Sequence, residues 1–132
     1  MKAFKAAILM VCVLATMALV QGCALLLVGG ATYGAVEYAG NTLQVTHEVS
    51  LDKAWDAANA ALKELQIPVT SSKNDALSAH LEARNAQEQP VNIDLLRKTE
   101  KVTQIRITVG TFDTSANRAG AQLIYDTMKT RF

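Results

Sequence analysis

The sequence is short of cysteine, aromatic rings and charge. Its 132 residues hold two cysteines, 5% aromatics and 19% charged side chains. Two cysteines and few aromatics exclude a disulfide-dense mini-scaffold. Lys plus Arg is 13 against 12 Asp plus Glu, a formal net charge of +1. No basic excess exists to neutralise phosphates, so no nucleic acid is expected as a partner. The length allows one domain and argues against two. The charge that is present is unevenly spread: the 31 residues from Ala6 to Val36 carry none, whereas the 96 residues that follow have ordinary globular composition.

Two lysines, Lys2 and Lys5, precede an apolar run from Ala6 to Val20. A positive start, an apolar stretch and a small-residue cleavage site are the layout of an export signal. The lysines stay on the cytoplasmic side while the run enters the bilayer. Val20-Gln21-Gly22-Cys23 then resembles the lipobox of bacterial lipoproteins. That resemblance implies lipidation of Cys23, with Val20 and Gly22 forming the cleavage site and only a thiol able to carry the diacylglycerol. The alternative is an uncleaved transmembrane helix, since Ala6 to Val28 is long enough to span. Gln21 and the glycines after it weaken that span. Lipidation makes the membrane a partner through the N-terminal lipid. A cut before Cys23 discards Cys12, uses Cys23, and leaves 110 residues with no free thiol. Ala24 follows the cysteine where an Asp resembles an inner-membrane retention signal. In a diderm bacterium this favours the outer membrane, facing the periplasm.

Three segments are expected: a signal peptide over 1–22, a lipidated Gly-rich apolar tether over 23–41, and a globular domain over 42–132. The tether is too short to span a bilayer, and its Gly30/Gly34 pair means dimerisation only within a span. It lies against the interface or the domain, with Tyr33 and Tyr38 suited to the interface, or it is a plain linker.

From Thr42 the pattern is regular. Leu43, Val45, His47 and Val49 alternate with polar residues as a strand does. Ser50 caps a helix whose apolar stripe is Leu51, Ala54, Trp55, Ala58, Ala61, Leu62 and Leu65. Gln66-Ile67-Pro68 stops it. Ile67 to Ser71 reads as a short strand turned by Lys73-Asn74-Asp75. Strands follow over Leu77–Arg84, Val91–Leu95 and Thr103–Val109, separated by a polar loop at 85–90 and a charged turn at 97–101. Asp113, Thr114 or Ser115 caps a last helix to about Arg131. The order β-α-β-β-β-β-α predicts an α+β fold in two layers, one antiparallel sheet with both helices on one face and the opposite face polar and open.

The lipobox, the Gly-rich tether, Leu51-Asp52-Lys53-Ala54-Trp55, Asp75-Ala76-Leu77 and Ile105-Arg106-Ile107-Thr108-Val109-Gly110-Thr111-Phe112 together resemble a family of small bacterial lipoproteins, the domain of unknown function 3568. These motifs are structural, and the resemblance implies no activity. The element order is also similar to helix-grip domains, a likeness of fold alone.

Candidate chemistry is thin. Trp55 shares its register with core positions, which favours packing over ligand binding. His47 reads as a core-edge histidine with one hydrogen bond. No spacing supplies three metal ligands, and no cofactor is expected. Glu82 and Asp94 can face one side of neighbouring strands, which suggests glycoside hydrolysis. Arg84 and Arg106 share that face, however, and would lower the carboxylate pKa values, the wrong direction for a general acid. The serines have turn and capping roles. The polar face formed by His80, Glu82, Arg84, Asn92, Asp94, Gln104 and Arg106 is a candidate interaction surface for another envelope protein, or an ordinary wet face. The expectation is a lipid-anchored, non-catalytic interaction module. The alternatives are a small envelope hydrolase using Glu82 and Asp94, and a carrier with an apolar cavity near Trp55.

Overall fold

A computed structural model describes Ala3, residues 5–7 and residues 34–132. Cys23, Val20 and Gly22, with most of the expected signal and tether, lie outside the described residues. Among the described residues no helix is long and apolar enough to cross a membrane. The described residues 34–132 belong to one compact unit.

That unit contains β1 (Glu37–Ala39), β2 (Thr42–His47), α1 (Leu51–Glu64), β3 (Val69–Asn74), β4 (Ser78–Arg84), β5 (Pro90–Thr99), β6 (Val102–Val109) and α2 (Ser115–Lys129). The strands make one six-stranded sheet in the order β1-β2-β6-β5-β4-β3, antiparallel throughout. The fold is α+β. The alternation of Ala79, Leu81 and Ala83, of Val91, Ile93 and Leu95, and of Ile105, Ile107 and Val109 puts one apolar row per strand on one face. These rows bury against Leu51, Ala54, Ala58, Ala61 and Leu62 of α1 and Ala121, Ile124, Tyr125 and Met128 of α2. One fully buried leucine or isoleucine contributes about 1.5–3 kcal/mol, so these rows pin the register.

Local chemistry sets the boundaries. Ser50 Oγ accepts from Lys53 N at 3.3 Å and opens α1. At its end Ile67 N donates to Leu62 O and Gln66 N to Lys63 O, with Gln66 left-handed at φ +57. This is a Schellman closure, and Ile67 returns to pack against the core. Thr114 Oγ1 accepts from Asn117 N at 3.1 Å and opens α2. α2 approaches β6 closely at Gly120, where a Cβ would lie 3.4 Å from Val109.

Three element boundaries and the burial of one residue differ from the sequence reading. The first strand, β1, lies inside the expected tether and is joined to β2 by a two-residue Gly40-Asn41 turn, with Gly40 at φ +62. Next, β3 starts at Val69 and runs to Asn74, through the expected turn, because Ile67 caps α1 instead of extending the strand. Beyond the expected end at Leu95, β5 continues into the expected charged turn as far as Thr99, across an irregularity between Arg97 and Thr99. Finally, Trp55 is half-buried against the edge of the core, not inside it.

Candidate functional site

The two helices cover one sheet face, and among the described residues nothing covers the other. Register fixes what that bare face displays, because residues directly opposite in an antiparallel sheet share a face. One row runs across all six strands: Lys73, His80, Asp94, Arg106, Gln44 and Glu37. A second is Ser71, Glu82, Asn92, Thr108 and Thr42, closed by a 2.8 Å hydrogen bond between the Thr42 and Thr108 hydroxyls. A third is Ser78, Leu96, Gln104 and Thr46. All seven residues expected on this face are on it. Arg84 sits at its margin opposite Pro90 and donates to Glu88 O at 3.0 Å.

The rows bring three titratable groups into contact. His80 Nδ1 lies 2.5 Å from Asp94 Oδ1, and its Nε2 lies 3.2 Å from Glu82 Oε1. Both ring nitrogens therefore face acceptors, which suits the imidazolium with its two N–H donors. The hydrogen bond to Asp94 raises the His80 pKa above 6.5, with Glu82 adding to it against partial desolvation. The carboxylates stay 53% and 52% exposed and take opposite edges of one ring. A glycosidase pair instead flanks a bond across a cleft. Among the described residues, no group of three or more His, Cys, Asp or Glu converges as metal ligands would.

Arg106 differs from its neighbours. Asp94 is its direct partner on β5, but that carboxylate turns to His80. Among the described residues the Arg106 side chain makes no ion pair and no hydrogen bond. It lines a shallow hollow of about 360 Å³ with Ser78, His80, Asp94, Leu96 and Gln104. Lys73 and Leu96 belong to this surface and were missed as site residues. The sequence marks Lys73 as a turn residue, and Leu96, 41% exposed, falls outside the apolar alternation of its strand. The parity of Leu96 with Asn92 and Asp94 was the available signal.

The other face holds a second concavity. A groove of about 300 Å³ lies where α1 ends beside α2, walled by Leu65, Ile67, Val91, Val109, Leu123 and Ile124. Trp55 is not among its lining residues, which corrects the expected place of an apolar cavity.

His47 does lie on the apolar side, its ring 4.6 Å from that of Phe132 and 6.4 Å from that of Tyr125. Its buried Nδ1 has no hydrogen-bond partner among the described residues. Burial, then Lys129, lowers its pKa from 6.5, outweighing Glu48. It packs as a neutral aromatic ring.

A family model described as "Protein of unknown function (DUF3568)" matches residues 5–124. The chain belongs to that family. No curated protein matches it.

Proposed function

We propose, starting from membership in a family whose description assigns no activity, that the chain is a lipid-anchored envelope lipoprotein acting as a non-catalytic docking module. In this reading Cys23 carries the lipid, and the domain faces the periplasm, from the outer membrane in preference to the inner. The observation that carries the docking role is the uncovered sheet face, whose polar rows display two cations, Lys73 and Arg106, without ion pairs among the described residues. Such a surface suits partner selection, because matched charges steer encounter and mismatched ones are penalised. Glu82 and Asp94 fit this role better than hydrolysis, since both are held by His80 on an open surface.

Photo-crosslinking in living cells tests the docking role. A probe replacing Asn92, in the middle of the face, should yield a discrete adduct, and one replacing Lys63 on the exposed side of α1 should not. Equal or absent labelling at both positions refutes it. The anchor is tested separately: Cys23→Ala should lose all fatty-acid labelling, and retained label would exclude lipidation there.

The groove where α1 ends beside α2 favours a second reading, a carrier of small apolar molecules. Its volume is at the lower limit of ordinary ligand pockets. Ala86 also lines the groove; saturable binding of N-phenyl-1-naphthylamine, lost on Ala86→Trp, would support it, and no binding would remove it.

A further inference from the structure

We infer that Arg106 anchors a carboxylate-reading subsite on the open face, which takes an acidic side chain of a partner peptide with an aliphatic neighbour over Leu96, and that His80 keeps this subsite open by holding Asp94 away from Arg106. The inference names the partner chemistry and the regulation of the docking face, and so rests on the docking reading.

Three observations carry it. The first is competition built into the register. Asp94 stands directly opposite His80 on one side and Arg106 on the other. Cross-strand neighbours have Cβ atoms about 4.5–5.5 Å apart, so its carboxylate can serve either. It serves His80, at 2.5 Å. The second is the state of Arg106. A guanidinium has five N–H donors in a fixed fork that matches a carboxylate. None of the five meets an acceptor among the described residues, and the group lines a hollow instead of lying on a flat surface. The third is the company it keeps. Ser78 and Gln104 add neutral hydrogen-bonding groups, and Leu96 adds an exposed aliphatic side chain. His80 and Asp94 also line the hollow but are committed to each other, so Arg106 is its one uncommitted cation; one such cation with neutral donors fits a carboxylate, whereas a phosphate dianion calls for a second cation beside the first. The other cation of the row, Lys73, lies two strands beyond Asp94, opposite His80.

The gate follows from the groups facing His80. They are Glu82 on its own strand, Asp94 on β5 and Lys73 on β3, with Arg106 beyond Asp94 on β6. The helices lie on the opposite face and contribute none. Protonated His80 donates to both carboxylates and holds Asp94. Deprotonated His80 has one N–H for two carboxylates, and Asp94 is then free to pair with Arg106 and fill the subsite from within. Acidic partners are therefore bound below the His80 pKa and released above it. The two hydrogen bonds place that pKa above 6.5.

The test uses the full chain in maltoside micelles. The Arg106 Cζ shift is followed by ¹³C NMR while acetyl-Leu-Glu-Leu-amide is added at pH 5.5 and at pH 9. The expected result is a saturable shift at pH 5.5, with affinity at least threefold weaker at pH 9. Asp94→Asn should bind equally at both pH values, and Arg106→Gln should abolish the shifts at Leu96 and Gln104. The inference is overturned by equal wild-type affinity at the two pH values. It is equally overturned by the same response to acetyl-Leu-Gln-Leu-amide or to inorganic phosphate, or by no response. Crosslinking at Asn92 with no peptide response would leave the docking face standing and remove this subsite. A peptide response without a crosslinked adduct would do the reverse.

Discussion

At the scale of single residues, the chain is most sensitive where backbone geometry and a buried polar bridge coincide. Gly110 ends β6 at φ +71, and a Cβ there would lie 2.4 Å from Asn117 Nδ2. That amide group ties the turn to α2 by donating to Phe112 O at 2.8 Å, while its oxygen accepts from Gln89 at 3.2 Å. Gly110→Ala adds left-handed strain of roughly 1–2 kcal/mol and displaces a bridge worth about 1–1.5 kcal/mol. A thermal midpoint lower by roughly 10–20 °C is expected, read by calorimetry; a drop under 3 °C would mean that the turn relaxes freely. Thr103 is the other buried polar residue of this kind, its hydroxyl donating to Val49 O at 2.8 Å. Thr103→Val keeps the shape and orphans that carbonyl. It should cost about 1–3 kcal/mol in urea unfolding, the desolvation penalty of an unpaired buried acceptor.

At the scale of elements, α1 closes on an unusual residue. The Schellman geometry demands a left-handed residue at 66, usually glycine, and this chain supplies glutamine. Gln66→Gly should therefore stabilise by about 1 kcal/mol, seen as a higher urea midpoint with unchanged slope. A lower midpoint would show that the Gln66 side chain contributes packing. Element legibility in the sequence follows burial. β4, the centre of β5, β6 and both helices bury a full apolar stripe, and their alternation was readable. β1 and β3 bury nothing, so no alternation marks them. For β1 a Gly-Asn pair before an alternating run was the surviving sign, a known signature of a two-residue hairpin. The face carrying the candidate site was legible because it is the complement of the buried rows. The clamp on His80 was not. Strand parity places His80, Glu82 and Asp94 on one side, but only the register of β4 against β5 says which carboxylate meets which nitrogen.

At the scale of the whole molecule, two histidines give the domain a stability optimum in pH. His47 is shifted downward, so the unfolded chain takes its proton first on acidification. Its contribution is complete above pH 6.5 and is lost as the pH falls from there through the folded value. His80 is shifted upward, so the folded chain keeps its proton longer. Its contribution is complete below pH 6.5 and is lost as the pH rises through the folded value. Stability should therefore peak near pH 6.5, with the alkaline limb the shallower because His80 lies open to solvent. Urea midpoints from pH 5 to 9 check this. His47→Leu should flatten the acid limb alone and His80→Gln the alkaline limb alone; a monotonic wild-type profile would contradict both assignments.

The sheet also extends one strand beyond its helical cover. All six residues of β3 are exposed, and its attachment is a single ladder to β4 with an irregularity between Val69 and Ser71. Detaching it costs backbone pairing but uncovers no apolar side chain of its own. It should thus act as a separate unit of opening, whose amides exchange with deuterium through a small local fluctuation while those of β5 and β6 wait for the entire domain to unfold. In the interval when β3 is loose, β4 becomes the sheet's border, and its N–H and C=O groups are open to a strand from elsewhere. The slow core and the fast margin are then two clocks in one sheet, set by where the helices stop.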